Sequence, residues 1–279
     1  MLGRIATRPT VRILVIAYRS WSADRAARLG AGLAYYSLFA LIPVLFLSIS
    51  LAGILFGRDV AGTTVEEEIS NAVGSDIASA VSEAIDQLRN ETIDSLLPII
   101  SLGMLLYTAT VLFVAWKEFV DIIWDHPKET GVLAGIERRL FGLAAVVGAG
   151  LLLSLMIFAE ILVGALDRLV SNVALDVLLK VSGSIIPALL GAIFLLVLFR
   201  YTPDTRVAWK SVWLAAAVTA PMLAIAAWGY GVYLGTVGFG SASGVAGTLL
   251  LGLAFVYYSA QVLLYGVEIT KATYDRSGM

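Results

Sequence analysis

The sequence predicts an all-α polytopic membrane protein: six transmembrane helices, an amphipathic N-terminal helix and a helical extracytoplasmic loop. Three observations predict it. No charged residue stands between Arg28 and Arg58, and within that gap Leu33–Phe56 is broken only by Tyr, Ser, Gly and Pro43. At 1.5 Å per residue this run makes roughly 36 Å of helix, enough to cross a ~30 Å hydrocarbon core with some tilt. The whole chain is 59% hydrophobic and only 14% charged, with mean hydropathy +0.89, where a soluble domain carries about 25% charged residues. Finally, the basic residues fall almost entirely into alternate connecting segments.

The first 30 residues read as a cytoplasmic amphipathic segment. Val11, Leu14, Val15 and Tyr18 share one helical face beside Trp21, and Arg4, Arg8, Arg12 and Arg19 surround it. Such a helix lies at headgroup level and favours anionic lipid, so membrane lipids are expected partners. It is not read as a cleavable signal, because Ile13–Tyr18 is too short for an h-region. Leu33–Phe56 is the first span. Tyr35, Tyr36 and Ser37 lie at its inner end, and Pro43 frees the carbonyl of Phe39 one turn back, so a kink that shapes a cavity is expected there.

Residues 57–95 form the long outer loop. Val65, Ile69, Val73, Ile77, Val81, Ile85 and Leu88 recur at helical spacing, and Thr64 with Glu67 makes a capping box. This helix packs on the outer surface of the bundle or serves as a docking surface for an envelope protein partner. Five more spans follow, near Leu96–Trp116, Leu140–Leu166, Ser184–Phe199 (extending to Tyr201), Ser211–Leu234 and Gly244–Tyr265. The chain is one transmembrane domain over residues 1–279, with residues 96–279 holding the last five spans and a C-terminal tail.

Six spans put both termini on one side, and charge decides which. Of the 19 basic residues, all but Arg58, Arg89, Arg168 and Lys180 fall on the side of the termini, which is therefore cytoplasmic. The net charge of −2 and the absence of a concentrated basic surface exclude a general nucleic-acid partner. The chain has no cysteine and a single histidine, His126. Thiolate chemistry and a multi-histidine metal site are excluded, and neither cofactor nor metal nor catalytic residue is expected.

Candidate functional residues are few. Glu160 is the one ionisable residue well inside an expected span, about 9 Å from its outer end. A charge there must face the bundle interior or a water cavity, or be neutralised. It reads as a substrate or coupling carboxylate, or as a neutral fastener between helices, with Arg168 near enough to screen it. Gln261 and Ser154 are further interior polar groups. Glu268 and Lys271, three residues apart at the inner end of the last span, read as an ion pair, or Glu268 as a cytoplasmic lock against Arg200 or Lys210. Gly238, Gly240 and Gly244 make the last outer loop a tight turn or a gate. Ala216, Ala220 and Ala224 form a small-residue ridge for close helix packing.

Four segments in order carry a resemblance: Leu33-Ala-Tyr-Tyr-Ser-Leu-Phe-Ala-Leu-Ile-Pro43, Tyr201-Thr-Pro-Asp204 with Trp209-Lys210, Gly238–Gly247, and Leu264-Tyr-Gly-Val-Glu268. The chain resembles the YihY/BrkB family of bacterial inner-membrane proteins, once labelled ribonuclease BN. The resemblance implies six helices with cytoplasmic termini and a role in the cell envelope. Combined with Glu160 and Pro43, it leads to the expectation of a non-enzymatic translocator of a lipid-like or other amphiphilic envelope component. A membrane scaffold that recruits a partner through residues 57–95 is the alternative. The ribonuclease label is disfavoured, because RNA hydrolysis needs carboxylates or histidines clustered in an aqueous site, usually with metal.

Overall fold

A computed structural model describes residues 9–40, 97–126, 131–169, 173–237 and 244–277, and every regular element among them is a helix. Helix α1, Pro9–Ala23, begins on a proline, whose fixed φ and missing N–H suit a first helical turn. A turn at Asp24–Arg25 leads into α2, residues 26–40. Helix α3, Leu97–Ile123, also carries a proline, Pro98, in its first turn. It stops where Asp125 takes the left-handed conformation (φ 54°), which aspartate tolerates better than most residues. Helix α4, Val132–Leu169, follows Gly131, whose φ of 147° only glycine adopts readily.

Helix α5, Val173–Tyr201, ends at Thr202-Pro203, where proline disfavours helical geometry in the residue before it. Helices α6, Trp209–Val237, and α7, Gly244–Ser277, complete the chain. Pro187 and Pro221 lie inside α5 and α6.

The packing is sequential. Helix α3 lies on α4, α4 on α5, α5 on α6 and α6 on α7, while α7 also carries α1 and touches α3 and α5. Alternating directions bring the ends of α3, α5 and α7 and the starts of α4 and α6 to one pole. The core sits at that pole, with Trp116, Val120, Ile123, Leu195, Phe199, Val207, Val212, Leu264 and Ile269 buried together with Ile13 and Ala17 of α1. Gly266 explains the convergence: a Cβ there would strike the Phe199 ring and come within 2.5 Å of Thr219 Oγ1, so α5, α6 and α7 meet where only a hydrogen fits.

Three described helical stretches are long and apolar enough to cross a membrane, Val132–Met156, Trp209–Tyr233 and Leu250–Arg276, and Ile185–Tyr201 is a shorter apolar stretch. Helix α5 ends at Tyr201, the farther of the two expected limits, and starts well before the expected Ser184. Pro43, the 57–95 loop and the glycines Gly238 and Gly240 lie outside the described residues.

Helix α1 divides its apolar residues between two directions. Its buried stripe is Ile13 and Ala17, with Leu14 and Trp21 packed alongside, while Val15 and Tyr18 are exposed. Trp21 Nε1 donates to the Gln261 carbonyl (3.3 Å) and Tyr265 donates its hydroxyl proton to the Leu14 carbonyl (3.0 Å). The helix is fastened to α7 by one face and leaves Val15, Ile16 and Tyr18 exposed on the other.

Candidate functional site

The buried polar groups gather at the pole where the core lies, around the last turns of α3. Lys117 and Asp121 are one turn apart, the i,i+4 spacing that brings side chains together. Lys117 Nζ donates to Asp121 Oδ1 at 2.6 Å and meets Asp204 Oδ1 at 2.7 Å. The Lys117 and Asp121 side chains are largely buried, whereas that of Asp204 is 64% exposed. Asp204 Oδ2 also faces His126 Nδ1 at 3.9 Å. The loop that presents Asp204 is anchored from beneath: Trp116 Nε1 donates to Thr202 Oγ1 (3.0 Å), and that hydroxyl donates to the Leu198 carbonyl (2.6 Å).

Oxygen or nitrogen atoms of Asp121, His126 and Asp204 lie within 4.8 Å of one another, a set with metal-ligating chemistry. The Lys117 ammonium already contacts both carboxylates. A divalent ion would have to displace it, so the arrangement reads as an ion-pair network.

A second polar cluster flanks the first. Lys271, expected to pair with Glu268, turns to α3 instead. Its Nζ donates to the Ile123 carbonyl at 2.6 Å and to Asp125 Oδ2 at 2.5 Å. An ammonium on the last carbonyls of a helix satisfies an orphan acceptor and opposes the negative end of the dipole. Glu268 is 1% exposed, and its carboxyl lies close to that of Asp24 in the α1–α2 turn. Its Oε1 is buried with no partner. Asp24, Glu268, Lys271 and Asp125 thus tie α1, α7 and the end of α3 together.

The other sequence-derived candidates fall in different places. Arg200 donates from Nη1 to the Val207 carbonyl (2.6 Å) and lies over the Trp209 ring, bracing the α5–α6 loop; Lys210 is exposed. Tyr35 lines a shallow groove with Ala31, Leu38, Leu250 and Tyr257 and stacks edge-on with Tyr36 and Phe39. Ser37 bonds back to the Leu33 carbonyl of its own helix (2.8 Å). The Gln261 side chain lies against Gly30, where α2 crosses α7. Gly244 opens α7. Glu160 lies within α4, and its side chain is outside the described residues.

Sequence reasoning missed Lys117, Asp121, Asp204, Asp24 and Asp125. The i,i+4 spacing of Lys117 and Asp121 was the available local signal. Asp204, from the Tyr201–Asp204 segment, joins them only because the loop after α5 folds under α3.

One apolar groove stands out. It lies between α4 and α5, holds about 460 Å³, and runs from Tyr201 and Thr202 at the polar pole past Phe141 and Phe194 to Leu155 and Leu190. Gly148 keeps its floor open, since no atom lies within 4 Å of the Cβ position there.

Comparison with known proteins agrees with this architecture. The family described as Virulence factor BrkB matches residues 17–278. UPF0761 membrane proteins from two strains of Stenotrophomonas maltophilia, R551-3 and K279a, are each 25% identical over 259 residues, which covers 89% of this chain. The chain spans 58% of the length of these relatives. No solved structure matches. The family description and the relatives' names state no enzymatic activity. A match over nearly the whole chain, with apolar helices of membrane-crossing length, makes this a membrane protein that belongs to the Virulence factor BrkB family.

Proposed function

We propose that this protein translocates a lipid-like amphiphile and that the α4–α5 groove receives the apolar tail. The groove is the observation that carries the reading. Its α4 wall, from Phe141 to Leu155, extends roughly 21 Å along the helix axis, more than half of a ~30 Å hydrocarbon core. Its lining is apolar except near Thr202 and Tyr201, so a tail would enter beside the polar pole and lie along the helices. In this reading the pole faces the cytoplasm, as the distribution of basic residues favours. The chain, in this reading, crosses the bacterial inner membrane six times. The network around Lys117 holds the pole closed while the helices beyond it separate.

The test is lipid movement in proteoliposomes, followed by quenching of a fluorescent phospholipid from the outside. The wild-type chain is expected to expose the inner-leaflet probe faster than protein-free vesicles do. Gly148→Phe, which fills the groove floor, is expected to return the rate to background while the protein still elutes as a folded species. Equal rates for wild type and Gly148→Phe would remove the groove from the mechanism. Absence of any acceleration by the wild type would overturn translocation.

A further inference from the structure

Arg139 bonds in a direction that an arginine at a membrane boundary does not ordinarily take. Its guanidinium donates from Nη1 to Thr110 Oγ1 and from Nη2 to the Tyr107 hydroxyl, both at 2.9 Å, and stacks over the Tyr107 ring at 4.1 Å. Gly142 fixes the level of these groups. It lies one turn beyond Arg139 along α4, and a Cβ there would lie 3.1 Å from Thr110 Cβ. The guanidinium therefore reaches the level of Gly142, a turn farther from the polar pole than the Cα of its own residue. On α3, Tyr107 is ten residues from Lys117, about 15 Å along the axis, and Thr110 about 10 Å.

Side chains of helical residues lean toward the helix N-terminus, here the polar pole, and boundary arginines snorkel toward water. Arg139 does neither. Thr110 and Tyr107 accept its hydrogen bonds but carry no charge, and among the described residues no carboxylate bonds to it. Tyr107 is 60% exposed, so the site opens on the flank of the bundle, which in a membrane faces lipid. A cation held at this depth with two neutral partners is costly unless an anion joins it. The guanidinium fork matches a phosphate or carboxylate bidentately, and the two hydroxyls fix its plane.

We propose that Arg139, Tyr107 and Thr110 form an intramembrane binding site for a phosphate-type oxyanion, supplied by the headgroup of an anionic amphiphile. The site lies on the α3 side of α4, away from the α4–α5 groove. It is an equilibrium binding site and does not rest on translocation.

Native mass spectrometry of the full chain tests it, with phosphatidylglycerol, phosphatidylcholine and inorganic phosphate as probes. The wild type is expected to retain phosphatidylglycerol over phosphatidylcholine. Arg139→Gln is expected to weaken that retention at least roughly tenfold, the loss of a charge-assisted hydrogen bond. Tyr107→Phe removes one hydroxyl at an exposed position, keeps the fold, and is expected to weaken retention less. Arg206→Gln, an exposed arginine in the α5–α6 loop, reports general electrostatic attraction and is expected to change little. Retention of inorganic phosphate that is lost in Arg139→Gln, without lipid preference, would support the oxyanion site with free phosphate as its source. Equal retention of phosphatidylglycerol by wild type, Arg139→Gln and Tyr107→Phe would overturn the proposal. So would failure to retain either anion, which would assign the counter-charge to the chain itself.

Discussion

At the scale of residues, the polar pole rests on buried charges that neutralise each other. Lys117 sits between Asp121 and Asp204, and the Lys117–Asp121 contact is sheltered from solvent. Removing one member of such a pair strands the other, which costs more than the pair itself contributes. Lys117→Met is expected to destabilise the protein by about 3 kcal/mol, and Lys117→Met with Asp121→Leu to recover most of the loss. Thermal unfolding of the purified protein checks both; a double variant no better than the single one would remove the pair from the account. Asp204, exposed and water-screened, is expected to matter much less to stability. Glu268 makes a complementary case. Two carboxyls held close together and buried repel each other when both are charged, and Glu268→Gln removes one charge while keeping the shape. That variant is expected to unfold within about 2 °C of the wild type or above it, whereas Glu268→Leu, which leaves Asp24 without its partner, is expected to lose stability, by roughly 1–3 kcal/mol.

At the scale of elements, the helices are set by their contacts at the pole more than by their apolar lengths. Gly266 lies where the Phe199 ring and Thr219 leave no room for a methyl group, and Phe199 is itself fully buried. Gly266→Ala is expected to cost about 1–3 kcal/mol through forced displacement of α5 and α6, seen as a lower unfolding temperature and less folded protein after extraction. Full stability of Gly266→Ala would mean that the crossing is looser than drawn. The existence and order of these helices were legible in the sequence, because long apolar runs bounded by charge are strong signals. Their packing faces were not. The apolar set Val11, Leu14, Val15 and Tyr18 is a genuine face of α1, but lipid competes for it as well as protein does. Hydrophobicity alone does not tell a protein-facing side from a lipid-facing one. The small residue Ala17 and the backbone carbonyls of Leu14 and Gln261 chose the interface. Lys271 was drawn from its near neighbour Glu268 to α3 for a similar reason: the open carbonyl of Ile123 and the Asp125 carboxylate lie together, and that juxtaposition depends on tertiary structure.

At the scale of the whole molecule, α7 is the axis on which the rest is assembled, with α1, α3, α5 and α6 all against it. Ion pairs and aromatic donors tie the pole together, while the flanks of α4, α5 and α6 present leucine, isoleucine and tryptophan outward. In the proposed reading, this polarity of construction and the asymmetry of basic residues along the chain set one orientation in the membrane. The chain contains no cysteine, so single thiols can be placed without removing native ones. Thiols at Ser277 and at Lys210 are expected to resist a membrane-impermeant maleimide in intact spheroplasts and to react after lysis. A thiol at Glu83 is expected to react in both conditions. Labelling of all three in intact spheroplasts would break the six-span topology, and an inverted pattern would place the polar pole outside. The second outcome reaches further than topology. An amphiphile entering the α4–α5 groove beside Thr202 would then come from the outer leaflet, the Lys117 network would close the extracytoplasmic side, and the direction of movement through the bundle would reverse with it.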